Sequence, residues 1–454
     1  MGRLYPCPRG RQRHLPRVRA GQADPARSEE PRQVRGDRRQ ELRRLQAPAA
    51  CRHPLRNRPV SKFLRFALWS LVASVLGFAV LTHHSSAAGS REDFPAKLSQ
   101  WKLIQRAGDR LAAAPSGVTY ELATPLFTDY ALKWRVLFIP NGQKAAYNPD
   151  RAFDLPVGTV IAKTFYYPVA PVDHTGESAD VLKARPSDYQ DGVGGLRLAH
   201  VRLMETRLLV HRAGGWVALP YVWDEDQRDA TLERVGDAIP LTMVDGTERK
   251  DFVYVVPNAN DCANCHAPNF TTGEINHIEP IGIKARHLNR DFPGKFGTIN
   301  QLTRLQRLGY LSGAPAVASA PRNVDWHDER LPVDARARSY LDINCSHCHS
   351  PVGAARTTGL WFDQGHEHGA DWASPRRIGV CKQIVAGGHG GGGLPFDVAP
   401  GEPEKSILLY RLRSNVPGTM MPEIGRSLVH AEGIALVRSW IERMEGQCRL
   451  ASEQ

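Results

Sequence analysis

Excess charge is missing from most of this chain. The formal net charge is +12, which invites a nucleic-acid reading. Residues 1–65 carry 18 Lys/Arg against 5 Asp/Glu, and the rest of the chain sums to −1. A near-neutral body leaves no electrostatic argument for DNA or RNA. Long apolar runs are also missing. The longest, Phe66–Leu81, has 16 residues, short of the ~20 that a membrane span needs. Methionine is scarce at 6, so any Met in a ligand position stands out. No repeat occurs beyond two short motifs. The glycine run Gly387-Gly-His-Gly-Gly-Gly-Gly-Leu394 lacks the Gly-Lys-Ser/Thr ending of a phosphate cradle. It reads as a turned loop, with His389 only a possible metal or substrate contact. The β-rich region also offers Glu121 and Asp129, and its acidic run Asp224-Glu-Asp-Gln-Arg-Asp229 lacks EF-hand spacing and reads as a solvated turn.

Two pentapeptides are present: Cys262-Ala-Asn-Cys265-His266 and Cys345-Ser-His-Cys348-His349. The chain has 8 Cys and 17 His. At those frequencies, chance gives two such patterns in about one chain in 10⁵. Cys-x-x-Cys-His is the attachment pattern of c-type haem. The two thiols reach the vinyl groups of one haem, and the histidine becomes the proximal iron ligand. The spacing predicts two covalently bound haems c, held by Cys262, Cys265, Cys345 and Cys348, with His266 and His349 on iron. A single zinc site fits poorly, because the pairs are about 80 residues apart rather than the 15–20 of a compact module.

Covalent attachment of haem requires export, and residues 60–88 read as a signal peptide. Lys62 and Arg65 precede the apolar run, and small residues (Ser85-Ser-Ala-Ala88) follow it. An uncleaved segment would instead anchor the protein. Residues 1–59 hold 16 Arg and no hydrophobic periodicity. They read as a disordered leader or as sequence upstream of a true start at Val60. Cys381 and Cys448, left over once the haem cysteines are assigned, form an even pair for a disulfide in an oxidising compartment.

The pattern predicts a multidomain α+β protein. An N-terminal β-sandwich or barrel-like domain spans 92–256 and opens with a short helical lead-in at 92–113. Its strands are Arg135–Pro140, Gly158–Tyr167, Glu205–His211, Trp216–Trp223 and Phe252–Pro257. Residues 170–195 read as a long loop. Two mostly α-helical cytochrome c modules follow at 257–320 and 333–446. In the first, Leu302, Leu305 and Leu308 have helical spacing stopped by Gly309. In the second, a helix feeds the haem motif, and a terminal helix carries the stripe Ile434, Val437, Trp440 and Ile441.

The sixth ligand of the second haem is expected from Thr419-Met420-Met421-Pro422, with Met421 preferred over Met420. A saturated iron transfers electrons only. For the first haem His287 is the leading candidate, ahead of His277 and the more remote Met243, with an open iron as the remaining option. Arg286 and Arg290 are candidate propionate partners.

From about residue 118 the chain resembles a family of exported bacterial dihaem c-type cytochromes, often encoded beside parallel β-helix repeat proteins. The stretches that carry the likeness include Pro125-Leu-Phe-Thr-Asp-Tyr-Ala-Leu-Lys133, Pro156-Val-Gly-Thr-Val-Ile-Ala-Lys-Thr-Phe165, Tyr221-Val-Trp-Asp-Glu-Asp-Gln227 and Ala337-Arg-Ser-Tyr-Leu-Asp-Ile-Asn-Cys-Ser-His-Cys-His349. Gly401-Glu-Pro-Glu-Lys-Ser-Ile-Leu408 and Met421-Pro422 complete it. A shorter relative of the two-haem half looks like a domain fused to sugar-dehydrogenase-like proteins. The resemblance implies a periplasmic electron carrier. Its partner would be a redox protein: a dehydrogenase, a cytochrome or a β-helix repeat protein. The alternative is a dihaem redox enzyme, peroxidase-like or dehydrogenase-associated, using an open first haem.

Overall fold

A computed structural model describes residues 94–170, 179–185, 188–190, 192–267, 278–294, 297–364, 374–385 and 388–450. The leader, the expected signal peptide, His277 and the side chain of His389 lie outside the described residues. All described residues belong to the unit Arg91–Gln454.

Six strands pair in chain order, each antiparallel to the next. They are β1 (Gly117–Thr119), β2 (Leu132–Phe138), β3 (Val160–Pro168), β4 (Val201–Arg212), β5 (Gly215–Trp223) and β6 (Ala230–Leu232). The β-branched and aromatic runs expected as strands supply β2 to β5. Side chains alternate across the sheet, so β2 sends Leu132, Trp134, Val136 and Phe138 to one face. There they join Val160, Ala162, Tyr166, Tyr221 and Trp223 in one core. The opposite face receives Lys133, Arg135 and Leu137. At the Leu137 end it is apolar: Leu137 and Ile161 meet Ile283, Leu288, Leu302, Leu305 and Ile343. At the Lys133 end it is charged.

A second sheet pairs β7 (Asp237–Asp245) with β8 (Glu248–Val256) and with the short strand Asp180–Leu182. Tyr167, Leu241, Phe252 and Tyr254 form its core, and Leu428 joins them. The expected helical lead-in is instead a 3₁₀ turn, Leu98–Trp101, followed by a hairpin of Ile104–Ala107 with Arg110–Ala113. Gly108, at φ +63°, makes the turn that breaks the helical pattern.

The expectation of two mostly helical haem modules is corrected. The described residues are strand-rich, with 30% strand against 23% helix, six helices and several sheets. The helices are α1 (Ala259–His266), α2 (Ala285–Leu288), α3 (Gln301–Arg307), α4 (Val333–Cys345), α5 (Ile407–Arg413) and α6 (Ala431–Glu442). Pro280, Gly282, Pro293 and Gly294 keep the helices after the first motif short. The chain there also turns into a β-hairpin, Asp291–Gly294 with Gly297–Asn300. Its apolar residues are buried against the large sheet and form no helical core of their own.

The second motif has more helical company. Tyr340 and Leu341 of α4, Leu409 and Leu412 of α5, and Leu436, Val437, Trp440 and Ile441 of α6 share one core. The stripe on α6 therefore faces inward as its period predicts. Between α4 and α5, however, the helical elements among the described residues are all 3₁₀ turns. That stretch is glycine-rich, and glycine weakens helices. No helix among the described residues is long and apolar enough to cross a membrane.

Candidate haem-attachment site

The first pentapeptide lies wholly within α1. Asn258 caps the helix, accepting the amides of Asn260 and Asp261, while Asp261 accepts the amide of Asn258. One helical turn then carries Cys262, Cys265 and His266. His266 Nδ1 lies 2.7 Å from the Glu279 carbonyl. A carbonyl only accepts, so Nδ1 holds the proton and Nε2 keeps its lone pair. Burial and the nearby Lys163 lower the pKa of His266 to about 4, so the ring is neutral.

The second pentapeptide starts at the last residue of α4, and its next turn stays helical, with His349 N–H donating to Cys345 O at 2.8 Å. His349 Nδ1 lies 3.2 Å from Thr358 Oγ1, whose own proton goes to Ala355 O. The hydroxyl must therefore accept, and His349 also carries its proton on Nδ1. Burial keeps this ring neutral, with a pKa lowered to about 4. A metal-binding histidine commonly donates its second nitrogen to a carbonyl or similar acceptor. Glu279 and Thr358 supply that partner, and no short motif in the sequence points to either.

The two motifs meet. Ligand atoms of Cys265, His347 and Cys348 lie within 4.8 Å of one another. Cys348 Sγ donates to the Asn264 carbonyl at 3.8 Å, and the neighbouring Cys348 and, after it, His347 lower the thiol of Cys265 to about 4. The thiol of Cys348 is pushed up correspondingly. Burial raises Cys262 and carries Cys345 to about 12. Cys265 is thus the thiol of the four that ionises most readily.

Cys262, Cys265, His266 and His347 line one cavity with about 1490 Å³ of atom-free space, its open mouth included. The opposite wall is the charged end of the sheet: Lys133, Arg135, Lys163, Phe165 and Arg207. Arg207 pairs with buried Glu205, which also accepts the Tyr254 hydroxyl. These cations were not singled out in the sequence. Strict alternation in Leu132-Lys133-Trp134-Arg135-Val136 reads as a strand with one solvated face. The available signal is charge inside an otherwise apolar strand, as in Ile161-Ala-Lys163-Thr-Phe165.

The other expected ligands lie elsewhere. His287 is buried outside this cavity, with Nδ1 3.2 Å from Asn323 Nδ2 and Nε2 4.0 Å from Asp342. Burial lowers its pKa to about 3. Arg286 faces the same Asp342 at 3.7 Å, and Arg290 pairs with Glu121 at 3.1 Å, so neither lines the cavity. Met243 sits in the β7–β8 core. The Met421 amide donates to Arg411 O on α5, and the Arg411 charge also bears on His349, so the Met420–Met421 loop and His349 flank one residue. Asp129 accepts the amides of Ser427 and Leu428, and Asp224 pairs with Lys97. Cys381 and Cys448 are joined by a disulfide across a separation of 67 residues. No family model, curated protein or solved structure matches the chain.

Proposed function

We propose that this chain is an exported dihaem c-type cytochrome that carries electrons between redox partners. The observation that carries this reading is shared by both motifs. Each histidine holds its proton on Nδ1 against a fixed acceptor, which leaves Nε2 for iron one residue after a cysteine pair. Haem held in this way supplies one-electron chemistry. The chain's own groups attach it through Cys262, Cys265, Cys345 and Cys348 and orient its proximal histidines. The approach of Cys265 to Cys348 favours direct passage of an electron between the two groups. The Cys381–Cys448 disulfide fits an oxidising compartment such as the periplasm. The partner is a redox protein: a dehydrogenase, a cytochrome or a β-helix repeat protein. Met421 is the proposed sixth ligand of the second haem.

One observation favours a second reading. Cys265, His347 and Cys348 form a soft three-donor group suited to a zinc-like ion. Thioether formation would consume both thiols, so the two readings exclude each other. Intact mass and the pyridine haemochrome spectrum decide, using protein made in a host able to attach haem. Two haems per chain support the cytochrome; bound zinc without haem removes it. Carbon monoxide titration of the reduced protein then separates carrier from enzyme. No binding at either haem fits a carrier, and binding at one haem fits a redox enzyme with an open iron.

A further inference from the structure

Three cations stand side by side on the cavity wall. In the sheet register Arg135 lies opposite Lys163, and Lys163 lies opposite Arg207. Lys133, two residues before Arg135, extends the patch on the same face. Like charges placed directly across strands repel. Among the described residues, only Arg207 of these has a carboxylate partner within ion-pair distance. Lys133 donates to the Leu126 carbonyl, and Arg135 donates to the Lys133 carbonyl at 3.3 Å. Lys163 has no hydrogen-bond or ion-pair partner among the described residues, and its ammonium lies 5.0 Å from the Phe165 ring centre. Lys133 and Arg135 are over nine-tenths buried. Buried charge without a counter-ion is costly enough that folds rarely retain it.

The charges line a cavity, not a filled interior, so the missing anion can come from a ligand. We propose that Lys133, Arg135 and Lys163 form a carboxylate-binding wall, filled by the propionate edge of a haem attached in this cavity. The second half of that statement rests on the dihaem reading; the first half does not. Lys and Arg together suit two carboxylates, the Arg fork gripping one in-plane and the ammonium groups neutralising the other. A free organic dicarboxylate would present the same chemistry.

The test uses full-length protein from a haem-attaching host, as wild type, Arg135→Met, Lys163→Met and Lys163→Arg. Both haem potentials are measured, and thermal midpoints are recorded with and without succinate. A nearby positive charge favours the reduced haem. With propionates on the wall, each Met variant lowers the potential of one haem and leaves the other unchanged, while Lys163→Arg restores it. Succinate then shifts no midpoint. With a free dicarboxylate, succinate raises the wild-type midpoint, its binding weakens about tenfold or more in the Met variants, and the potentials stay put. That result keeps the wall and overturns its haem occupant. Unchanged potentials together with no succinate effect overturn the wall itself. If no haem is attached, the haemochrome spectrum removes the dihaem reading, and the succinate arm alone decides the wall.

Discussion

Around Cys262–His266 the neighbours come from strands and carry charge; around Cys345–His349 an apolar helical core packs beside Cys345, with Thr358 and Arg411 near His349. α1 is a short capped helix facing Lys133, Arg135, Lys163 and Arg207. α4 runs for 13 residues and buries Tyr340 and Leu341 against α6. Both histidines nonetheless hold the same tautomer, through a carbonyl in one case and a threonine hydroxyl in the other. The pentapeptide sets what can be attached. The surroundings set the field that the attached group would experience. In the first setting that field is positive and borne by the sheet, while in the second the charges that bear on His349 are those of Arg411 and Lys382.

The sharpest way to break this comparison is to remove one motif at a time. Cys262→Ala with Cys265→Ala should halve haem content by haemochrome assay and lower the mass by one haem. The corresponding pair at Cys345 and Cys348 should do the same. Loss of both haems from either variant would show that the two settings are not independent. Next in size is the helical core. Trp440 is 2% exposed and donates to Asp334 at 2.9 Å. Trp440→Ala should cost about 3–5 kcal/mol in denaturant unfolding. The loss should fall on the α4–α6 cluster, with amides of β2 to β4 keeping their hydrogen-exchange protection.

Much of this was legible in the sequence, and the reasons are local. β2 to β5 follow from runs such as Val160-Ile-Ala-Lys-Thr-Phe-Tyr-Tyr167. α3 follows from Leu302 and Leu305, though it ends at Arg307 and leaves Leu308 half exposed. The motif residues follow from their spacing. What was not legible is long-range. Alternation in β2 says that Lys133 and Arg135 share a face, but not that a second layer covers it. Short apolar segments such as Ile281-Gly-Ile283 say nothing alone of the partner they bury against, which is the sheet face beside Leu122 and Leu137. His287 looks like a ligand from its neighbours in sequence and turns out to serve Asn323 and Asp342.

A smaller effect concerns the join between the two regions. Asp129, buried and at φ +46°, accepts Ser427 and Leu428 amides at 2.8 Å and 2.6 Å and ties the strand-rich half to the segment before α6. Asp129→Ala should cost about 2–3 kcal/mol, read as a lower denaturation midpoint. An unchanged midpoint would mean that the halves stay together without this tie.

A last effect is a pH slope. Burial, Arg207 and Arg135 lower Lys163 from 10.5 to about 7, against the opposing pull of Glu205 and Cys262; His266 of α1 also faces it. Between those values the unfolded chain holds a proton that the folded chain lacks. Stability of the haem-free protein should therefore rise as pH climbs from about 7 toward 10.5. Lys163→Met should flatten that rise, and an unaltered slope would place its origin elsewhere.

The Cys381–Cys448 link matters beyond the fold it closes. Six thiols follow the expected signal segment, and the pairing withdraws two of them. The number of wrong ways in which the chain can oxidise falls roughly fivefold. The four thiols left are the two Cys-x-x-Cys pairs, with Cys265 and Cys348 already neighbours. The disulfide thus divides the cysteines that hold the chain together from those that the proposed haem attachment would use.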